Sequence, residues 1–226
     1  AIIVAETGAA TAITMALLAG NGIALPSNRV EIGTRTFTKA NLAAGGTASI
    51  APGDALLAML RLQHATHLTE KPEAAGSFSI GVVRTAASDA WQTHVHASLT
   101  AAAEQYPQVQ LLEPSNASST GLIEQGCRAL IVLSRDPALT ASIRQTAALA
   151  ANGAVPVIVL DPTLQDHGTC VIGCSATSIG AAATNAVQQL LPEGGAMIIC
   201  FDATSEPHVA GFCAAMGLPT ERLLSR

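Results

Sequence analysis

From residue 78 onward the chain repeats one pattern: a short, unbroken apolar run, then a stretch with helical spacing. The runs are FSIGVV (78–83), VQLLE (109–113), ALIVLS (129–134), VPVIVLD (155–161), CVIG (170–173) and AMIICF (196–201). A strand with one wet face alternates apolar and polar residues, whereas a strand covered on both faces reads as continuous Val, Ile and Leu. Helices are predicted at 88–105, 120–126, 136–152, 178–191 and 205–216. Strands buried on both faces and joined by helices make a parallel sheet with helices on either side, the doubly wound α/β class.

The residues before 78 fit the same class. AIIVA (1–5), RVEIGT (29–34) and TASIA (47–51) read as strands, and a helix runs from after the first to about Gly20. An amphipathic helix is predicted over 54–67, with Leu56, Leu57 and Leu60 on one face and Asp54 as its N-cap. QHATHLTEKPEAAGS (63–77), with Pro72 and Gly76, reads as a helix end followed by a linker. Ligands of such sheets sit beyond the carboxyl ends of the strands. That rim comprises residues 6–7, 84–91, 134–136, 161–163 and 202–208.

Composition narrows the function. Hydrophobic residues make up 49% of the 226 and charged residues 12%, which supplies a core and argues against disorder. The net charge is −5, from 11 Lys and Arg against 16 Asp and Glu. A broad nucleic-acid footprint needs a basic face, and stacking on single strands needs more aromatics than 3%. No uninterrupted apolar run is long enough for a membrane span. The apolar opening is broken by Glu6 and several Thr and lacks the basic start of a signal peptide, so it reads as a mature or cytosolic chain. The five Cys are odd in number and mostly in apolar contexts, and read as buried reduced thiols. Cys170 and Cys174, with His167 nearby, have no second ligand pair at zinc spacing.

No G-x-G-x-x-G follows a strand, no phosphate loop ends in G-K-[ST], and no G-x-S-x-G elbow occurs. His94 and His96 lie two apart on a predicted helix and point to different faces. His64 and His67 share a face without a carboxylate partner. No catalytic residue, metal or cofactor is assigned, and the chain is expected not to be an enzyme. An enzyme reading would require a cleft carboxylate or His with a strongly perturbed pKa, with Asp161 and His208 as the candidates.

Residues 78–226 resemble the type I periplasmic sugar-binding proteins, and most closely the effector-binding cores of lactose-repressor-family regulators. The resemblance is carried by FSIGVV with Trp91 opening the next helix, by LIEQGCRALIVLS, by VPVIVLD, and by the passage from VIGCSATSIG through GFCAAMGLPTERLL. The first 62 residues resemble the later part of the family's second lobe, through G-I-x-x-P-x-x-x-V-x-I-G and the strand and helix of TASIAPGDALLAMLRL. They therefore stand ahead of the part they normally follow, and about one joining helix is missing. A circular permutation, a rearranged or tandem gene, or segments set down in an unusual order would each give this. The resemblance implies two doubly wound parallel-sheet lobes in permuted order: 1–53 as the later half of lobe two, 54–77 as return helix and linker, 78–168 as lobe one, and 169–226 as the first half of lobe two.

The resemblance also implies a ligand held between the lobes. By position it points to Thr85, Ser88 and Trp91 on the first-lobe loop, with Trp91 stacking on a sugar ring, and to Asp161 accepting hydroxyl hydrogens. Trp91 also reads as a helix-start core residue, and Asp161 as a cap or turn residue. The chain departs from the family elsewhere. Pro162 replaces an Arg, Glu6-Thr7 replaces Asn-Asp, Arg35 replaces an Asp, and a lobe-two Arg position falls near Glu206 and His208. Glu6, Arg35 and His208 complete the candidate site. Arg35 is open to two readings: a contact for an acidic ligand, such as a sugar acid or sugar phosphate, or a surface Arg paired with Glu6.

The implied function is the sensing of a small molecule, a sugar or sugar derivative, by a cytoplasmic regulator that is a homodimer. The alternative is a periplasmic solute-binding component of a transporter. Residues 1–28 hold no Lys or Arg, so DNA contact is expected only through a headpiece this chain does not contain.

Overall fold

The computed structural model describes residues 2–25, 27–49, 51–64, 77–84, 90–113, 119–150, 153–193 and 206–218. In chain order its elements are β1 (Ile2–Ala5), α1 (Ala9–Gly20), β2 (Arg29–Glu31), β3 (Thr34–Phe37), β4 (Thr47–Ser49), α2 (Pro52–Gln63), β5 (Phe78–Arg84), α3 (Ala90–Ala103), β6 (Val109–Leu112), α4 (Ser119–Glu124), β7 (Ala129–Leu133), α5 (Pro137–Ala148), β8 (Val157–Leu160), β9 (Cys170–Gly173), α6 (Ala176–Leu190) and α7 (Glu206–Met216). They divide into two compact units. The larger is Thr7–Glu31 with Pro52–Gly173, and the smaller is Ala1–Glu6, Ile32–Ala51 and Cys174–Arg226. This differs from the sequence boundaries: residues 7–31, expected in the second lobe with the rest of 1–53, pack with 52–173.

The larger unit is the expected α/β fold. Its six strands run parallel in the order β2-β9-β8-β7-β5-β6. Every residue of β7, β8 and β9 is buried, as their continuous apolar runs require. Leu130 and Val132 of β7 join Leu122 of α4 and Ile143 and Ala147 of α5 in one core layer, with Val157, Val159 and Val171. The alternate residues Ala129, Ile131 and Leu133 point the other way, where α1 packs on β7 and β8 and against α3. Nine of the twelve residues of α1 are buried, so the helix is apolar all round. The Thr14 and Tyr106 hydroxyls meet at 3.1 Å in its buried contact with the loop after α3. Arg128 holds its carboxyl end, donating to the Gly20 carbonyl at 3.0 Å and to Asn21 Oδ1 at 2.8 Å.

The strand expected over 29–34 divides at the boundary between the units. Arg29–Glu31 pairs with β9, whereas Thr34–Phe37 belongs to a separate sheet, β1-β3-β4, in the smaller unit. Both pairings in that sheet are antiparallel, with Ile2 opposite Phe37 and Thr34 opposite Ser49. β3 and β4 form a hairpin. Gly45 and Gly46 carry φ of +82° and +76°, a turn conformation that L side chains rarely adopt. The Asn41 side chain accepts from Thr38 N and donates to Thr36 O and Thr47 Oγ1, which closes the loop. In the same unit α6 and α7 cross at glycines. A Cβ at Gly180 would overlap the Gly211 backbone, and one at Gly211 the Ala176 carbonyl. Val209, Phe212 and Cys213 pack there with Ala183 and Val187. The strand expected over 196–201 lies outside the described residues.

Candidate functional site

The order of the parallel sheet singles out one place. The chain leaves β5 through α3 to β6 on one side, then crosses through α4 to β7 on the other side of β5. The βα loops therefore diverge at the carboxyl ends of β5 and β7, which is where open sheets of this kind form their ligand crevice. Arg84 ends β5 opposite Leu133 of β7.

Trp91 stands in the first turn of α3, half-buried at this switch point. The exposed Arg135, in the loop leaving β7, lies over its ring at 5.4 Å from guanidinium to centroid. The first turn of α3 and the loop after β7 thus meet through a cation–π contact. The neighbouring groups are buried and hydrogen-bonded. Gln92, buried, donates through Nε2 to the Leu133 carbonyl at 3.0 Å and ties the start of α3 to the end of β7. Ser134, also buried, accepts from Asp136 N at 2.9 Å. Asp136 caps α5 by accepting from Ala138 N at 2.9 Å, with Pro137 following it in the first turn. On the β6 side Arg84 pairs with Glu113 at 3.0 Å, and His96 Nε2 approaches the same carboxylate at 2.7 Å.

Asp161 sits at the end of β8 with about 1% of its surface exposed. Its Oδ1 accepts from Thr163 N and Thr163 Oγ1, and its Oδ2 from Gln165 N and His167 Nε2, at 2.7–3.0 Å. His167 Nδ1 lies 3.0 Å from Thr140 Oγ1 on α5. The carboxylate therefore organises its own loop, in the manner of a turn residue. To contact a ligand it would have to surrender one of these bonds.

The remaining candidates belong to the smaller unit or lie outside the described residues. Glu6 and Arg35 belong to the smaller unit and pair with each other at 2.9 Å, while Arg35 also donates to the Gly45 carbonyl. His208 lies in the first turn of α7. Thr85 and Ser88 lie outside the described residues. Sequence reasoning named Trp91 and put residues 134–136 on the rim without singling out Arg135, which the structure brings to Trp91; it did not name Gln92 as a contact of Leu133. The available signal was the Ser134-Arg135-Asp136 loop directly after an all-buried strand.

Among the described residues no cluster of His, Cys, Asp and Glu could hold a metal, and no helix is long and apolar enough to cross a membrane. Cys127, Cys170, Cys174 and Cys213 are buried free thiols. Burial pushes the thiol of Cys127 up to about 11 and that of Cys170 up to about 12, which holds both as unreactive thiols at neutral pH. A separate open cavity of about 300 Å³ lies beside the outer strand β2, lined by Ser27, Arg29, Glu31 and the start of α2.

No protein-family model matches the chain, and no curated protein matches it. Among solved structures it is similar to the fructose binding periplasmic domain of hybrid two component system BT1754, at 23% identity and a TM-score of 0.40. The similarity covers 62% of this chain, and the chain spans about half the length of that structure.

Proposed function

We propose that this chain is the small-molecule-sensing domain of a cytoplasmic regulator of the lactose-repressor type. Its ligand is a sugar or sugar derivative, seated at the carboxyl edge of the six-stranded sheet against Trp91. The observation that carries the reading is the placement of Trp91. It is the chain's one tryptophan, half-buried at the switch point and braced from below by the Gln92–Leu133 hydrogen bond. An aromatic face at a fixed position suits the apolar face of a sugar ring, and the surrounding polar groups suit its hydroxyls.

The role is binding without chemistry. The buried Asp161–His167 pair spends its bonds within its own loop and against Thr140. As a regulator domain the chain works as a homodimer and shifts between two populated states when ligand is bound. A chain that is monomeric with ligand and without it fits the alternative, a periplasmic solute-binding component. The test of the site is a titration of the intact chain with hexoses, pentoses and their derivatives, followed by calorimetry and by the fluorescence of Trp91. Saturable binding that Trp91→Ala abolishes supports the reading. Binding unchanged in that variant contradicts it.

A further inference from the structure

Resting on the reading that Trp91 carries the ligand, we propose that the ligand bears an acidic group, a carboxylate or a phosphate, and that Arg135 is its contact. Three of the arginines around the large sheet are otherwise employed. Arg84 is paired with Glu113, Arg128 donates to Gly20 O and Asn21 Oδ1, and Arg144 donates to the His167 carbonyl. In the smaller unit Arg35, for which the sequence left open an acid contact or a pair with Glu6, is held by Glu6 and Gly45.

Arg135 differs from all of these. It is exposed, it stands at the switch point, and among the described residues its contact is the face of Trp91. The nearest carboxylate in sequence, Asp136, is engaged with the first turn of α5. An exposed cation–π contact is weak, whereas a guanidinium meeting a carboxylate or phosphate forms short, charge-assisted, bidentate hydrogen bonds. An anionic ligand therefore outcompetes the ring for Arg135. In moving to the anion the guanidinium uncovers the Trp91 face, and the ligand's ring takes its place. One event supplies the stacking surface and neutralises the charge, and a neutral sugar cannot drive it.

The probes are glucose, galactose, ribose and arabinose, the uronic acids of the two hexoses, and the 6- and 5-phosphates of glucose and ribose. Each is titrated into the intact chain and followed by calorimetry and by Trp91 fluorescence, with Arg135→Gln and Arg135→Lys alongside. The expected result is binding of an acidic member at least about 10-fold tighter than its neutral parent. Arg135→Gln should then weaken that binding about 10- to 100-fold, the range of a hydrogen bond to a charged group. Arg135→Lys should recover part of it, and the neutral sugar should bind Arg135→Gln no more weakly than it binds the unaltered chain, because the Trp91 face is then uncovered. Uronic acid against sugar phosphate tells which anion is taken. Neutral sugars that bind as well as their acids, through Trp91 and independently of Arg135, overturn this inference and leave the proposed function standing. No binding by any probe overturns both. Arg135 is exposed in a loop, so the variants are expected to fold, and a circular-dichroism melt matching the parent establishes it.

Discussion

At Asp161 the identity of one residue decides the shape of a whole loop. Four donors converge on a carboxylate with almost no exposure, and one of them is a histidine that is itself buried. Asp161→Asn keeps the shape but replaces an acceptor oxygen with a donor facing donors. Leaving a buried donor without its acceptor costs about 1–3 kcal/mol. The expected outcome is a loss of that size in urea unfolding, with unchanged secondary structure at 25 °C. A loss below about 1 kcal/mol would show that the network does not hold the loop. The sequence offered both a ligand contact and a turn residue for this position. It could not choose, because the donors come from residues 163–167, whose approach depends on the path of the loop.

The thiols belong to the same scale, and their alkaline behaviour has a definite sign. Burial raises Cys127 and Cys170 from an ordinary 9.0 to about 11 and about 12. The folded state therefore holds these protons more tightly than the unfolded state. The stability that results is complete below pH 9 and is lost as pH rises through about 11 and 12. Urea midpoints should fall from pH 9 upward, and Cys127→Ser/Cys170→Ser should flatten that fall. An equally steep fall in the double variant would assign it to other groups.

At the scale of elements the large sheet was legible because its strands are buried on both faces, so ALIVL and VIVL show as unbroken apolar runs. The small sheet was legible in part: AIIVA and TASIA read as strands, but β3 was not separated from the strand expected over 29–34. In β3 Thr34 is buried and Arg35, Thr36 and Phe37 are half-buried, and β4 is exposed throughout, so neither shows an unbroken apolar run. The hairpin was nevertheless written in Asn41 and in Gly45-Gly46. The α6–α7 crossing gives a prediction of the same scale. Gly211→Ala gains about 1 kcal/mol of helix propensity, but its methyl meets the Ala176 carbonyl, and overpacking of this kind costs about 1–3 kcal/mol or more. The net expectation is a loss of about 1–2 kcal/mol. Gly121→Ala, in α4 with open space around the added methyl, is expected to stabilise by about 0.5–1 kcal/mol. Thermal unfolding of the two single variants tests the pair, and a stabilised Gly211→Ala would remove the close crossing from the account.

Over the whole molecule the chain reads as two units whose segments interleave: the smaller is assembled from 1–6, 32–51 and 174–226. Sequence pattern reported the class of the larger unit, and the resemblance implied interleaved segments with 1–53 and 169–226 in one lobe; the units differ in taking residues 7–31 into the larger one, because which segments share a unit is decided by long-range packing. The covering of β7 and β8 by α1 is an example, since the apolar face of α1 fits any sheet. Of the proposed site, Trp91 was legible as a lone aromatic opening a helix after a buried strand. Residues 134–136 were legible as rim, but the contact of Arg135 with Trp91 and the bond of Gln92 to Leu133 were not, because they come from β5 and β7 lying side by side.

The central claim is that a small molecule binds at this edge through Trp91, and the most direct measurement is thermal unfolding of the parent chain and Trp91→Ala across the same panel of sugars, sugar acids and sugar phosphates. A ligand present at about 100 times its Kd adds about 2.7 kcal/mol to the folded state. At about 2–4 °C per kcal/mol for a chain of this size, the midpoint should rise by roughly 5–10 °C. The account predicts that rise for at least one member in the parent and none in Trp91→Ala. A panel without effect on the parent, or an equal rise in both proteins, would contradict it.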